Sequence, residues 1–204
     1  MIVAKRKPMA EIAEMVAPYK SGKIIGCRSC VAICLAGGEK EVKTLVSALR
    51  LKAKKEGRRQ EFEGLVVERQ CEKEWVEEVE DRIMDSDLVL SMACSLGAQT
   101  IGDMYPKKLV FPALNTGIFG VPEEQGVWSE KCVGCGNCII HTTGGICPIA
   151  RCAKSMLNGP CGGSSNGKCE VNLEVDCAWY AIHERLKLQN RLELIEQVSP
   201  PKDW

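Results

Sequence analysis

The sequence predicts an α/β chain: a small doubly wound parallel sheet, followed by a Cys/Gly-rich segment and a C-terminal helix. Three observations carry that prediction. Between Lys23 and about Leu114, short apolar runs suited to buried parallel strands alternate with helical patterns. From Glu130 to Asp176 there are eight glycines and scarcely any periodic apolar pattern. At Asp176 a helical stripe returns. Residues 1–125 are therefore expected to form the α/β domain, and residues 126–204 a Cys-rich domain with a helix and tail.

Each element has its own signal. Met9, Ile12, Ala13 and Val16 make a short amphipathic helix, with Pro8 suited to its first turn. KIIG, LVV, LVLSM and KLVFPAL read as successive strands. Between the first two, VKTLVSALRLKAKKEG places Val42, Leu45, Val46 and Leu49 at i, i+3, i+4, i+7 spacing, with Gly57 as the stop. Before the third, EWVEEVEDRIM puts Trp75, Val79 and Ile83 on one face of a second helix. The segment 130–176 is expected to lack a core of its own and to need another means of support. The last helix has Asp176 as its expected N-cap and Ala178, Ile182 and Leu186 on one stripe. The tail QVSPPKDW ends in Pro200, Pro201 and Trp204, an aromatic suited to anchoring against a partner or this chain's own body.

Composition narrows the function classes. No stretch approaches the roughly 18 apolar residues of a membrane span, and no apolar run follows the basic residues of the N-terminus, so the chain is expected to be cytoplasmic. Lys+Arg and Asp+Glu both number 27, and the pI near 6.7 leaves no whole-chain footprint for nucleic acid. The 13 cysteines stand out. In a reducing compartment an odd, clustered set points to metal ligation or redox chemistry rather than disulfides.

The cysteines fall into two groups. Cys27 closes the first strand, Cys71 follows the second and Cys94 follows the third, so all three belong at the carboxyl edge of the sheet, where open α/β folds bind ligands. Cys30 and Cys34 continue from Cys27 into the next loop and helix, bringing five thiols to that edge, one more than a four-thiolate site uses. Any one of the five could be a small core residue; five at one end of three strands point to a site.

In the second group, Cys132, Cys135 and Cys138 form C-x2-C-x2-C, with glycines between them. That spacing lets one loop wrap a cubane iron–sulfur cluster. Eight residues, not the three of a ferredoxin run, separate Cys138 from the Cys147-Pro148 dipeptide. With Cys147, Cys152, Cys161, Cys169 and Cys177 the total is eight, the number two four-thiolate sites require. Two [4Fe-4S] clusters are thus expected in the C-terminal part and a third at the α/β edge. Zinc is the competing ligand set, although its ribbons use paired CxxC knuckles. His141 and His183, the two histidines, are expected to be ordinary surface or helix residues.

GGSSNGKC, residues 162–169, imitates a phosphate loop. It is set aside because Cys169 replaces the Ser or Thr that holds magnesium and no strand leads into it. Lys168 is left as a charge partner for an anionic cluster or a docking protein.

The run CPIARCAKSMLNGPCGGSSNGKCEV followed by DCAWYAIHERLK resembles the C-terminal domain associated with methylenetetrahydrofolate reductases. GCRSCVAICLAGGEKEV and SMACSLGAQT resemble the rest of the MetV-type small subunit of acetogen-type enzymes, with Ser95 and Ala98 standing where glycine and valine are expected. The resemblance implies a non-catalytic iron–sulfur electron-transfer subunit. Its implied partner is a flavin-bearing catalytic barrel subunit whose FMN receives the electrons and reduces methylenetetrahydrofolate to methyltetrahydrofolate. Ferredoxin or further electron-donor subunits are implied upstream. The chain itself is too short for a (β/α)8 barrel, which typically needs about 250 residues. A zinc-stapled scaffold that only assembles such a complex is the alternative.

Overall fold

The computed structural model describes residues 1–201, so the expectation for Trp204 lies outside the described residues. The chain divides into two compact units, Met1–Gly117 and Ile118–Trp204.

The first unit is the expected doubly wound sheet. Four parallel strands, β2 (Ser21–Cys27), β3 (Glu61–Val67), β4 (Leu88–Met92) and β5 (Leu109–Pro112), lie in the order β3-β2-β4-β5. Registers such as Ile25↔Leu65, Ile24↔Leu90 and Leu90↔Phe111 fix the pairing. Because side chains alternate across a strand, the apolar runs feed both faces. Ile24, Leu88, Leu90 and Met92 pack with Ile12 and Val16 of helix α1 (Met9–Val16) and with Val42, Leu45 and Leu49 of α3 (Glu39–Lys55). On the other face Ile25, Leu65, Val67 and Val89 pack with Val76, Ile83 and Ile101. Helix α3 ends where expected, with Gly57 just beyond it at φ +67°, a conformation that side chains other than glycine rarely tolerate.

Several elements differ from the sequence expectation. The single helix expected over EWVEEVEDRIM is two short ones, α4 (Lys73–Glu77) and α5 (Glu80–Met84), although Trp75, Val79 and Ile83 still face one core cluster. A helix not foreseen, α6 (Ser95–Met104), follows β4; it buries only Gly97 and Ile101, too little for a legible stripe. Strand β1 (Ile2–Arg6) lies ahead of α1, and a one-turn helix α2 (Cys30–Ile33) follows β2.

Strand β6 (Leu114–Glu124) starts in the first unit and pairs antiparallel with β7 (Val127–Cys132) in the second, where Phe119 lies opposite Cys132. Among the described residues, 130–176 hold no buried apolar cluster of their own; Ile146, Cys152 and Met156 only flank one whose buried members lie further along the chain. The second unit has a small apolar cluster: Cys177, Trp179, Ile182 and Leu186, flanked by Ile146, Cys152, Met156, Leu194 and Ile195. The last helix, α8 (Ala178–Leu188), is capped by Cys177 rather than Asp176, whose carboxylate instead accepts from Lys168 Nζ at 2.6 Å. A short helix α7 (Pro148–Arg151) begins at Cys147, and a 3-10 turn spans Leu192–Glu196.

Candidate metal centres

In the first unit, the connection from β2 to β3 runs one way along the sheet, and the next connection passes back over β2 to β4. The carboxyl ends of β2 and β4 therefore flank the point where strand order reverses, the place where open α/β sheets form a ligand crevice. Cys27 is the last residue of β2, and Cys94 lies two residues beyond β4 as the N-cap of α6. Cys71 follows β3 by four residues. Burial pushes the Cys71 thiol up, and the neighbouring Cys27 and Cys94 push it further. The Cys27 thiol reaches the Glu68 carbonyl at 3.6 Å.

Cys30 and Cys34 form a second pair, on α2 and at its C-cap. Burial raises the Cys34 thiol, and Cys30 adds to the rise. The Cys34 thiol donates to the Ile2 carbonyl of β1 at 3.5 Å. The five thiols thus resolve into a trio on the strand ends and a pair on α2.

Beneath the trio lies a polar contact that sequence reasoning missed. Gln70 is fully buried; its Nε2 donates to the Ile25 carbonyl at 2.6 Å, and its Oε1 accepts from the buried Ser91 hydroxyl at 2.7 Å. A glutamine beside a cysteine carries no sequence signal of burial.

In the second unit, four cysteines line one small cavity: Cys152, Cys161, Cys169 and Cys177. Its wall also carries Ser164, Glu170 and Trp179. Burial raises the Cys177 thiol, but donation from the Tyr180 and Trp179 amides and the Ser164 hydroxyl outweighs this and leaves it lowered. Position matters here, since Cys177 caps the N-terminus of α8, where amides and helix dipole favour an anion. Cys161 donates to the Glu170 carboxylate at 3.7 Å, and Lys154 pairs with the same carboxylate.

The other four cysteines of the unit cluster by element. Cys132 ends β7 and Cys147 caps α7, and α7 packs against β7. Cys135 and Cys138 lie on the loop from β7, whose Gly134 and Gly136 adopt φ of +65° and +77°. Those left-handed residues let the chain curl within three residues, as a loop presenting several thiolates to one centre must. The Gly134 amide donates to Cys132 Sγ at 3.3 Å and the Ala150 amide to Cys147 Sγ at 3.5 Å.

All thirteen cysteines are free thiols. Their chemistry, soft sulfur donors with amide donors aimed at Cys132 and Cys147, fits an iron–sulfur cluster or zinc. Among the described residues, no group of three or more His, Cys, Asp or Glu is drawn into ion-holding geometry. The histidines stand apart from the thiols: His183 Nδ1 pairs with Glu184 at 3.0 Å, and His141 offers its carbonyl to Arg191. The 162–169 segment is no phosphate loop, because Ser165 and Lys168 close a tight antiparallel turn and the next helix starts only at Ala178. Lys168, expected to face a cluster or partner, is taken up by Asp176.

Residues 111–204 match a family model described as methylene-tetrahydrofolate reductase C terminal, a span of just under half the chain. No curated protein matches the chain. No solved structure matches it either. Among the described residues no helix is long and apolar enough to cross a membrane.

Proposed function

We propose that this chain is the iron–sulfur electron-transfer subunit of a methylenetetrahydrofolate reductase complex. The observation that carries the reading is the set of four cysteines lining one cavity, inside a segment matching a reductase-associated family. A cluster bound at such a site accepts and returns one electron at a time. The chain's own residues would do the rest. Cys152, Cys161, Cys169 and Cys177 would hold one centre, with Ser164 and the first amides of α8 supporting Cys177 and Trp179 keeping water from its back. Cys132, Cys135, Cys138 and Cys147 would hold a second, wrapped by the Gly134–Gly136 loop. Cys27, Cys71 and Cys94 would hold a third at the strand ends, with Cys30 the natural fourth donor, because Cys34 is tied to the Ile2 carbonyl.

The proposed partner is a flavin-bearing barrel subunit whose FMN reduces methylenetetrahydrofolate; ferredoxin or another donor subunit would supply electrons to this chain. The test is anaerobic. Dithionite-reduced chain, freed of excess reductant and mixed with the oxidised flavoprotein subunit, should bleach the flavin at a rate that depends on this chain's concentration. No flavin reduction, together with failure to co-purify, would overturn the reading. The second reading, a zinc-stapled scaffold, draws on the same cavity, since four cysteine thiolates also make a closed structural zinc site.

A further inference from the structure

The strand-edge thiols are spaced by something more specific than the sheet itself. Cys27 is held in the sheet as the last residue of β2, opposite Val67 of β3, and Cys94 is held as the N-cap of α6, two residues beyond β4. Cys71 has no such support: it lies four residues past the end of β3, on the connection to α4. What reaches from that connection into the sheet is the side chain of its neighbour, Gln70.

We infer that Gln70 is a positioning residue that braces the Cys71 connection across the β2/β4 switch point and so sets how Cys27, Cys71 and Cys94 converge. Its amide spans both strands at once. The donor end meets the Ile25 carbonyl of β2 at 2.6 Å, and the acceptor end meets the Ser91 hydroxyl of β4 at 2.7 Å. Ser91 Oγ in turn accepts from the Ala93 amide at 3.3 Å, next to Cys94. Gln70 and Ser91 are both fully buried, so neither amide end nor the hydroxyl has water to turn to. A third element closes over the brace. A Cβ at Gly97, in the first turn of α6, would lie 2.6 Å from the Gln70 Cβ and 2.9 Å from the Ala93 Cβ, so the helix that starts at Cys94 approaches this closely only with glycine there. The same glutamine therefore touches the three elements that carry the trio.

This inference rests on reading the strand edge as a soft-metal site, and its test separates the two. The full-length chain is purified anaerobically as wild type, as Gln70→Leu/Ser91→Ala and as Gln70→Asn. The double variant removes the Gln70–Ser91 bond without leaving either side chain as a lone buried polar end, and its cost is confined to the bonds lost by the Ile25 carbonyl and the Ala93 amide. Two readouts are taken. In iron-loaded protein it is the paramagnetic resonance spectrum and midpoint potential of the reduced strand-edge centre, identified by its loss in Cys71→Ser. In iron-free protein it is bridging of Cys71 to Cys27 or Cys94 by phenylarsine oxide, mapped by peptide mass spectrometry.

The double variant is expected to stay folded by circular dichroism while its centre changes spectrum and potential, or while bridging falls by about tenfold. Gln70→Asn, one methylene short of spanning both strands, should not restore the wild-type signal. If wild type holds no iron at this edge yet bridges, and the double variant does not, the brace stands and the metal reading of this edge falls. Unchanged spectrum, potential and bridging in the double variant would overturn the brace. A double variant that fails to fold, alongside a Gln70→Asn that keeps wild-type signals, would overturn it too, since the glutamine would then serve stability alone.

Discussion

Trp179 shows how much of the second unit hangs on one side chain. It is 6% exposed, its indole donates to the Met156 carbonyl at 3.0 Å, and its ring lies over Gly159, where a Cβ would come within 2.5 Å. Replacing Trp179 with Ala should cost about 3–5 kcal/mol in unfolding of this unit, the range for deleting a buried aromatic. Trp179→Phe should cost about 1–3 kcal/mol, mostly for a carbonyl left without its donor. Urea titration of both variants checks the order; a Phe variant as damaged as the Ala variant would place the loss in the hydrogen bond instead. This residue was legible only as a neighbour of the Ala178, Ile182 and Leu186 stripe. Gln70 was not legible at all, because a polar residue reveals its burial only through its partners, and these lie 21 and 45 positions away.

Among the elements, the edge strand β3 carries a pH-dependent tie. The Glu63 carboxylate accepts from Lys23 Nζ at 2.6 Å and from Arg82, and these bonds, that from Lys23 foremost, hold it below the usual carboxylate range. A depressed folded-state value means stability that is fully present above the unfolded value and lost as pH falls through the folded one. Thermal unfolding of wild type should therefore show a loss below about pH 4.3 that Glu63→Gln lacks; parallel curves would contradict the assignment. The strands themselves were legible because parallel strands buried on both faces read as unbroken apolar runs. The β6–β7 hairpin was not, since NTGIFGVPEE mixes Gly, Pro and charge and is largely exposed. The thiol loops give a second element-level prediction. Cys135→Ser and Cys161→Ser should each remove about one cubane's four irons, and the double variant about eight, if the two sets of four hold separate clusters. Loss of all C-terminal iron in either single variant would contradict the separation.

For the whole molecule, the sequence pattern separates a sheet built on apolar runs from a segment built on cysteine and glycine; the structure forms two compact units, Met1–Gly117 and Ile118–Trp204. Linear spacing singled out the cysteines, and folding brings distant ones together: Cys152 and Cys177, 25 positions apart, share a cavity that no motif spacing announces. The apolar cluster of the second unit is small and includes two of those thiols, Cys152 and Cys177, so metal binding and folding should be coupled there. Chelation should accordingly make residues 118–201 protease-sensitive while the first unit keeps its helical and strand signal. Equal resistance of both units after complete metal removal would show that the apolar cluster suffices. The most direct test of an electron-transfer role is the metal content itself. Anaerobically purified, full-length chain should be brown, bleach on reduction, and carry about twelve irons with matching acid-labile sulfide, the complement of three cubanes. Colourless protein holding zinc and no sulfide would contradict that role and leave the thiols as staples of a scaffold.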